Sequence, residues 1–205
     1  MPDASILRGR IAIIGWGSLI WDPENLSPHL AGTWLMGEGP ALPLEFSRIS
    51  AKRKMGLAVC IDTLAGTPCA THAIRSTRGD VETARADLAA RERASLELIG
   101  MVCARTGRAA GTGAAHVAEW VARTGAAGAV WTALAPNFQD HAGRPFDLDA
   151  AEGWLLGLTG SSRDEAVRYL SSAPSATDTP LRRRLASRAW WQAEAARVAA
   201  EDRAR

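Results

Sequence analysis

Lysine is almost missing from this chain. Lys52 and Lys54 are the only two, and arginine carries the rest of the positive charge. Beside so many alanines, that reflects codon usage and says nothing of function. Net charge is nearly missing as well: 24 Lys and Arg against 22 Asp and Glu leave +2. So small an excess does not hold a polyanion, and nucleic acid is not an expected partner. Cysteine is scarce, and Cys60, Cys69 and Cys103 lack CxxC spacing, which excludes a disulfide framework and a zinc site. His29, His72, His116 and His141 are scattered, with neither HxH nor HExxH spacing, so no metal ion is expected. A Cys60–His72 pair is open in space but has no motif behind it. GxSxG is absent, which leaves Ser18 without support as a nucleophile. "GRAAGTG" (107–113) has neither the GxxxxGK[ST] nor the GxGxxG order, so neither a nucleotide nor any other cofactor is expected. No apolar run approaches the roughly 20 residues that cross a bilayer, so no membrane partner is expected. "MPDASILRGR" lacks the basic start and apolar run of a signal peptide, and a reducing cytoplasm is the expected location.

What is present is an ordinary globular composition, 47% hydrophobic and 22% charged, over 205 residues. That length suits one well-buried domain. Ile11–Ile14 reads as a buried strand running into the turn Gly15-Trp16-Gly17-Ser18-Leu19. Asp22-Pro23 reads as a cap and first residue of a short helix through "ENL". Strands are expected at 42–50, 57–62, 69–75 and 129–134, the second and third paired across "TLAGTP". Helices are expected at 80–99, with Asp80 as cap, across "AHVAEWVAR" and near 150–158. Ser162 and Glu165 form a capping box for a helix through Leu170, and Thr179-Pro180 starts a last helix containing Trp190 and Trp191. The run Arg182–Arg184 reads as a solvated face. The fold class is α+β, with residues 1–135 as the main domain and 136–205 as a helical C-terminal extension packed on it.

One helix carries chemistry. In "DVETARADLAARERASLELIG", Val81, Ala84, Leu88, Ser95, Leu96 and Ile99 share a stripe, and Glu92 lies inside it. Glu82, Asp87 and Glu97 lie off it, and Asp87 is spaced to pair with Arg91. A carboxylate facing a core loses hydration, which raises its pKa toward what a general base at neutral pH needs. The structural alternative is a buried Glu92 neutralised by an arginine such as Arg48 or Arg75.

"GWGSLIWDP" and "DLAARE" together resemble the γ-glutamylcyclotransferase-like family, especially its ChaC-type branch. There a glycine-bounded aromatic turn follows the first strand, and Arg-Glu closes a helix about seventy residues later. "FSRIS" and "VWTAL" are similar to a less characterised bacterial branch. The resemblance covers roughly 9–135. It implies a small, mostly closed β-barrel flanked by helices, and an enzyme cyclising a γ-glutamyl peptide or amide to 5-oxoproline. It implies Glu92 as general acid and base, and Gly15, Trp16, Gly17, Ser18, Leu19 and Arg48 around the substrate, without metal or cofactor. Trp16 stands where the family has tyrosine, replacing a hydroxyl that donates and accepts by an indole that only donates. The rival reading is a catalytically silent small-molecule-binding protein of the same fold. Residues 136–205 are left to cover the cavity mouth or form a homodimer surface.

Overall fold

The computed structural model describes residues 4–204. Its strands, among the described residues, are β1 (Ile11–Gly15), β2 (Leu30–Leu35), β3 (Ala41–Ser50), β4 (Gly56–Ile61), β5 (Thr67–Ala70), β6 (His72–Ser76), β7 (Ile99–Cys103), β8 (Arg108–Ala110) and β9 (Gly128–Thr132). Its α-helices are α1 (Val81–Glu92), α2 (Ala114–Thr124), α3 (Phe138–Ala142), α4 (Leu148–Gly157), α5 (Gly160–Ser172), α6 (Pro180–Ala186) and α7 (Ala189–Arg203). Contacts divide the chain into two compact units: Met1–Leu42 with Pro68–Leu134, and Pro43–Thr67 with Ala135–Arg205. The boundary expected at 135/136 falls beside one chain crossing. Residues 43–67, expected in the first domain, group instead with the C-terminal helices.

The first unit is built on a six-stranded sheet of order β2-β6-β1-β9-β7-β8. β1 is central because its β-branched run has no polar face: all five residues are buried. It pairs antiparallel with β6 and parallel with β9, so Ile13 lies opposite both Ile74 and Val130. These residues pack with Val81, Ala84 and Leu88 of α1 into one core cluster. Each large side chain buried there contributes about 1.5–3 kcal/mol relative to exposure. Trp131 lies against Gly100, opposite it on β7, where an added Cβ would fall 2.1 Å from the indole. Its Nε1 donates to Thr112 O at 2.8 Å, which fixes the "GRAAGTG" segment. That segment, expected as loop, contributes β8.

α1 ends at Glu92 rather than near Ile99, because Arg93 turns left-handed (φ 52°, ψ 43°). No glycine marks that stop; beyond it Leu96–Leu98 form a 3-10 turn with both leucines exposed, and Ile99 opens β7. After Pro23 the chain forms a 3-10 helix, Glu24–His29, without a side-chain cap from Asp22.

In the second unit β3 pairs antiparallel with β4. The three-stranded sheet has the order β4-β3-β5, so the strands on either side of "TLAGTP" flank β3 instead of pairing together. Asp62 closes that turn by accepting from the N–H groups of Leu64 and Ala65, both at 2.9 Å. Phe46 of β3 meets Tyr169 of α5 edge-on at 6.2 Å. Thr179 caps α6 through the N–H of Arg182, and Pro180 follows at the first helical position. The expected last helix breaks at Ser187 and Arg188 into α6 and α7. Thr159, without a side-chain bond, precedes α5 in place of the Ser162–Glu165 box. Glu165 pairs with Arg53 instead, at 2.9 Å. The arginine run is not a solvated face: Arg184 binds Glu152 and Asp149, and Arg182 donates to Pro174 O and Thr177 O. The fold is thus mixed α+β with sheets flanked by helices. Its described strands form two open sheets, not the expected closed barrel.

Candidate active site

The strand β1 delivers its turn as expected, but the turn is buried. Trp16 and Leu19 are each 5% exposed, Ser18 is 8% exposed, and Gly15 and Gly17 are buried too. A Cβ on Gly15 would lie 2.9 Å from the Trp34 ring, so this glycine makes room for an indole edge. Beyond it the chain tightens: Ile20 N–H donates to Gly17 O, and the N–H groups of Trp21 and Asp22 both donate to Ser18 O. The N–H groups of Gly17, Ser18 and Leu19 find no acceptor among the described residues. Backbone donors buried without acceptors are rare, because each forfeits its bond to water.

α1 brings its last turn to this place. Asp80 starts the helix by accepting from the N–H and hydroxyl of Thr83, both at 2.8 Å, and the first of these bonds holds its carboxyl below the usual range. Three and seven residues beyond Leu88 and Ala84, Arg91 falls on the buried stripe and is 2% exposed. Its guanidinium ties three chain segments together. One terminal nitrogen donates to Glu92 Oε1 at 2.6 Å; the other donates to Asp22 O at 2.5 Å and Ser18 Oγ at 3.3 Å. Arg91 Nε is buried without a partner among the described residues.

Glu92 is therefore not sealed in an apolar stripe. Its side chain is 14% exposed, and Oε1 also accepts from Thr132 Oγ1 at 3.3 Å. Oε2 has no partner among the described residues. The arginine beside it is Arg91, its sequence neighbour, rather than Arg48 or Arg75. Asp87, expected to pair with Arg91, binds Arg78 at 2.6 Å.

So the structure brings Ser18 to Glu92 through Arg91, with Gly15, Trp16, Gly17 and Leu19 in the same turn. Arg48 belongs to the second unit, where its NH1 donates to Ala135 O at 2.5 Å. Arg91, expected only as the surface partner of Asp87, is the functional residue that the sequence does not announce. Its signal was the spacing from Leu88 and Ala84, masked by the habit of assigning arginine to a solvated face. The cysteines offer no alternative centre: Cys60 contacts Ser47 Oγ at 3.4 Å, and burial pushes its thiol up to about 11. Among the described residues no group of His, Cys, Asp and Glu is placed to hold a metal ion.

A buried set of N–H donors beside a carboxylate with one free oxygen can hold an anion and exchange a proton next to it. Comparison with family models, with curated proteins and with solved structures finds no match.

Proposed function

We propose that this chain is a γ-glutamylcyclotransferase-like enzyme, cyclising a γ-glutamyl peptide or amide to 5-oxoproline with release of the amine. The observation that carries this reading is the link from Ser18 through Arg91 to Glu92, beside three buried N–H groups lacking acceptors. The N–H groups of Gly17, Ser18 and Leu19 would receive the α-carboxylate of the glutamyl end. Glu92 Oε2 would take a proton from the substrate ammonium. The freed amine then attacks its own γ-carbonyl, an intramolecular step in which the protein mainly enforces geometry. Glu92 returns the proton to the departing nitrogen. Arg91 would act as a positioning residue, fixing the rotamer of Glu92 against the turn. The proposal extends to the fold, with the six-stranded sheet standing for the wall of the family's barrel.

The Arg91–Glu92 pair also favours a second reading, a silent binding protein, since a buried ion pair that holds the helix end against the turn needs no catalysis to explain it. One panel of γ-glutamyl amines and peptides, assayed for 5-oxoproline, separates the two. Under the proposal at least one member is turned over, and Glu92→Gln slows it by about 10²–10⁴-fold. The amide oxygen of glutamine can still accept from Arg91 and Thr132, but Arg91 loses its counter-charge, so some fall in melting temperature is expected and turnover is read on the folded variant. A panel without turnover, or an unimpaired Glu92→Gln, discards the cyclotransferase.

A further inference from the structure

His72 opens β6 and lies directly opposite Gly15 of β1. Side chains paired this way share a sheet face. Two residues back along the same strands, Ile13 and Ile74 belong to the core under α1, so His72 projects from that face too. On the other side of β1, Thr132 follows the pair Ile14–Trp131 by one residue and binds Glu92. His72, Gly15 and Thr132 thus form one row across three adjacent strands, at the end of the sheet where the turn begins.

His72 is 1% exposed. The N–H of Gly37 donates to its Nδ1 at 2.7 Å. An Nδ1 that accepts carries no proton, so the proton of the neutral ring sits on Nε2. That Nε2 is buried and has no partner among the described residues. Burial also lowers the ring's pKa, which keeps it neutral. The fold therefore spends a backbone N–H on fixing a tautomer whose donor end meets nothing.

We propose that His72 is a further catalytic residue of this site, its Nε2–H donating to the γ-carbonyl oxygen of the substrate. The proposal rests on the cyclotransferase reading. In that reaction the amine nitrogen forms a bond to the γ-carbon, and the carbonyl π pair moves onto oxygen. The attacking nitrogen, now cationic, still holds one proton more than the lactam keeps. When the tetrahedral carbon collapses, the pair returns and the C–N bond to the leaving amine breaks, that nitrogen taking the proton that Glu92 first removed. Glu92 then carries the second proton from the ring nitrogen to the released amine, which departs as ammonium. Turn amides serve the carboxylate and Glu92 serves the two nitrogens. Two buried side-chain donors near the turn without a partner among the described residues, Arg91 Nε and His72 Nε2, are left for the oxygen that transiently gains charge, and His72 is the one in the row that ends at Thr132. A neutral N–H suits that oxygen, since it stabilises the developing charge without binding the uncharged ground state strongly. Two strand spacings, roughly 10 Å, separate the backbones of His72 and Thr132. The Trp34 ring and Leu19 fill the space over Gly15 between them, so the indole would have to swing aside to admit a substrate.

The test combines kinetics with ¹⁵N spectroscopy of the full chain. His72→Leu should lower kcat by about 10²–10³-fold with KM little changed. His72→Gln, which keeps both a donor and an acceptor, should recover part of the loss and guards against misfolding in the leucine variant. In the wild type, the His72 Nε2–H resonance should shift on adding 5-oxoproline. Turnover in the wild type with undiminished kcat in folded His72→Leu overturns the role of His72 and leaves the cyclotransferase standing. If no γ-glutamyl compound is turned over, the reaction fails, and the resonance decides alone. A shift on adding γ-glutamyl amide keeps His72 as a ligand-binding donor. An unmoved signal means that Nε2 meets only an ordered water, and the proposal falls.

Discussion

At the scale of single residues, Arg91 carries more structure than any other group near the turn. It is a buried cation that satisfies Glu92, Ser18 and the Asp22 carbonyl together. Removing one partner of a buried ion pair leaves the other uncompensated, at a cost of about 3–5 kcal/mol. Arg91→Met should therefore lower the melting temperature by on the order of ten degrees for a chain of this size. Arg91→Lys, which cannot fork to three acceptors, should fall between the two. A calorimetric scan decides it, and an Arg91→Met protein that melts like the wild type contradicts the linking role. The sequence made Glu92 conspicuous and hid Arg91. A carboxylate in an apolar stripe attracts notice, whereas an arginine at the end of a helix is usually written off as solvated. The importance of His72 was equally hidden, because an unpartnered ring nitrogen exists only once the chain has folded around it.

Among the elements, α1 is the one on which the site depends, since its last turn holds both Arg91 and Glu92. Its first turn depends on Asp80. The N–H of Thr83 keeps that carboxyl below its ordinary range, so the cap's stabilising effect is complete above the ordinary carboxylate range and fades as pH falls through the lowered value. Asp80→Asn caps without charge and should show a flatter acid limb in a pH series of thermal melts. An unchanged acid limb would assign the wild-type dependence to other carboxylates. Local chemistry of this kind was readable in advance: Asp80, Thr179-Pro180 and the β-branched run of β1 each announce themselves within a few residues. Pairing was not. The strands either side of "TLAGTP" sit on opposite sides of β3, and the helical spacing that Leu96 and Ile99 continue past Glu92 is not a helix: Leu96 lies in a 3-10 turn and Ile99 opens β7. Short apolar runs fit both periods, and only tertiary partners separate them.

At the scale of the whole chain, the second unit joins a segment from the first third to one from the last. Glu45 is one of the groups that joins them. It is fully buried on β3, accepts from its neighbour Phe46, and accepts from Leu181 N–H of α6 at 3.2 Å. Burial raises its pKa, against the opposing bonds from Thr179, Phe46 and Leu181. A folded value above the unfolded one means that its contribution is fully present below the ordinary carboxylate range. The contribution is lost as pH rises through the raised value. Glu45→Gln should remove that loss, so the stability difference between mutant and wild type should shift in the mutant's favour from acid to neutral pH. Denaturant titrations at both ends measure it, and a pH-independent difference would mean that Glu45 titrates alike in the folded and the unfolded chain.

The parallel pairing of Ile11 with Gly128 has a consequence for synthesis on the ribosome. β1 is made long before β9, the neighbour that covers one of its edges. Until then, a flat strand of isoleucines has an open edge, the feature that recruits other chains. Such long-range closure is slow and leaves nascent protein prone to aggregate. Truncated or stalled products ending before Gly128 should be the species that chaperones collect.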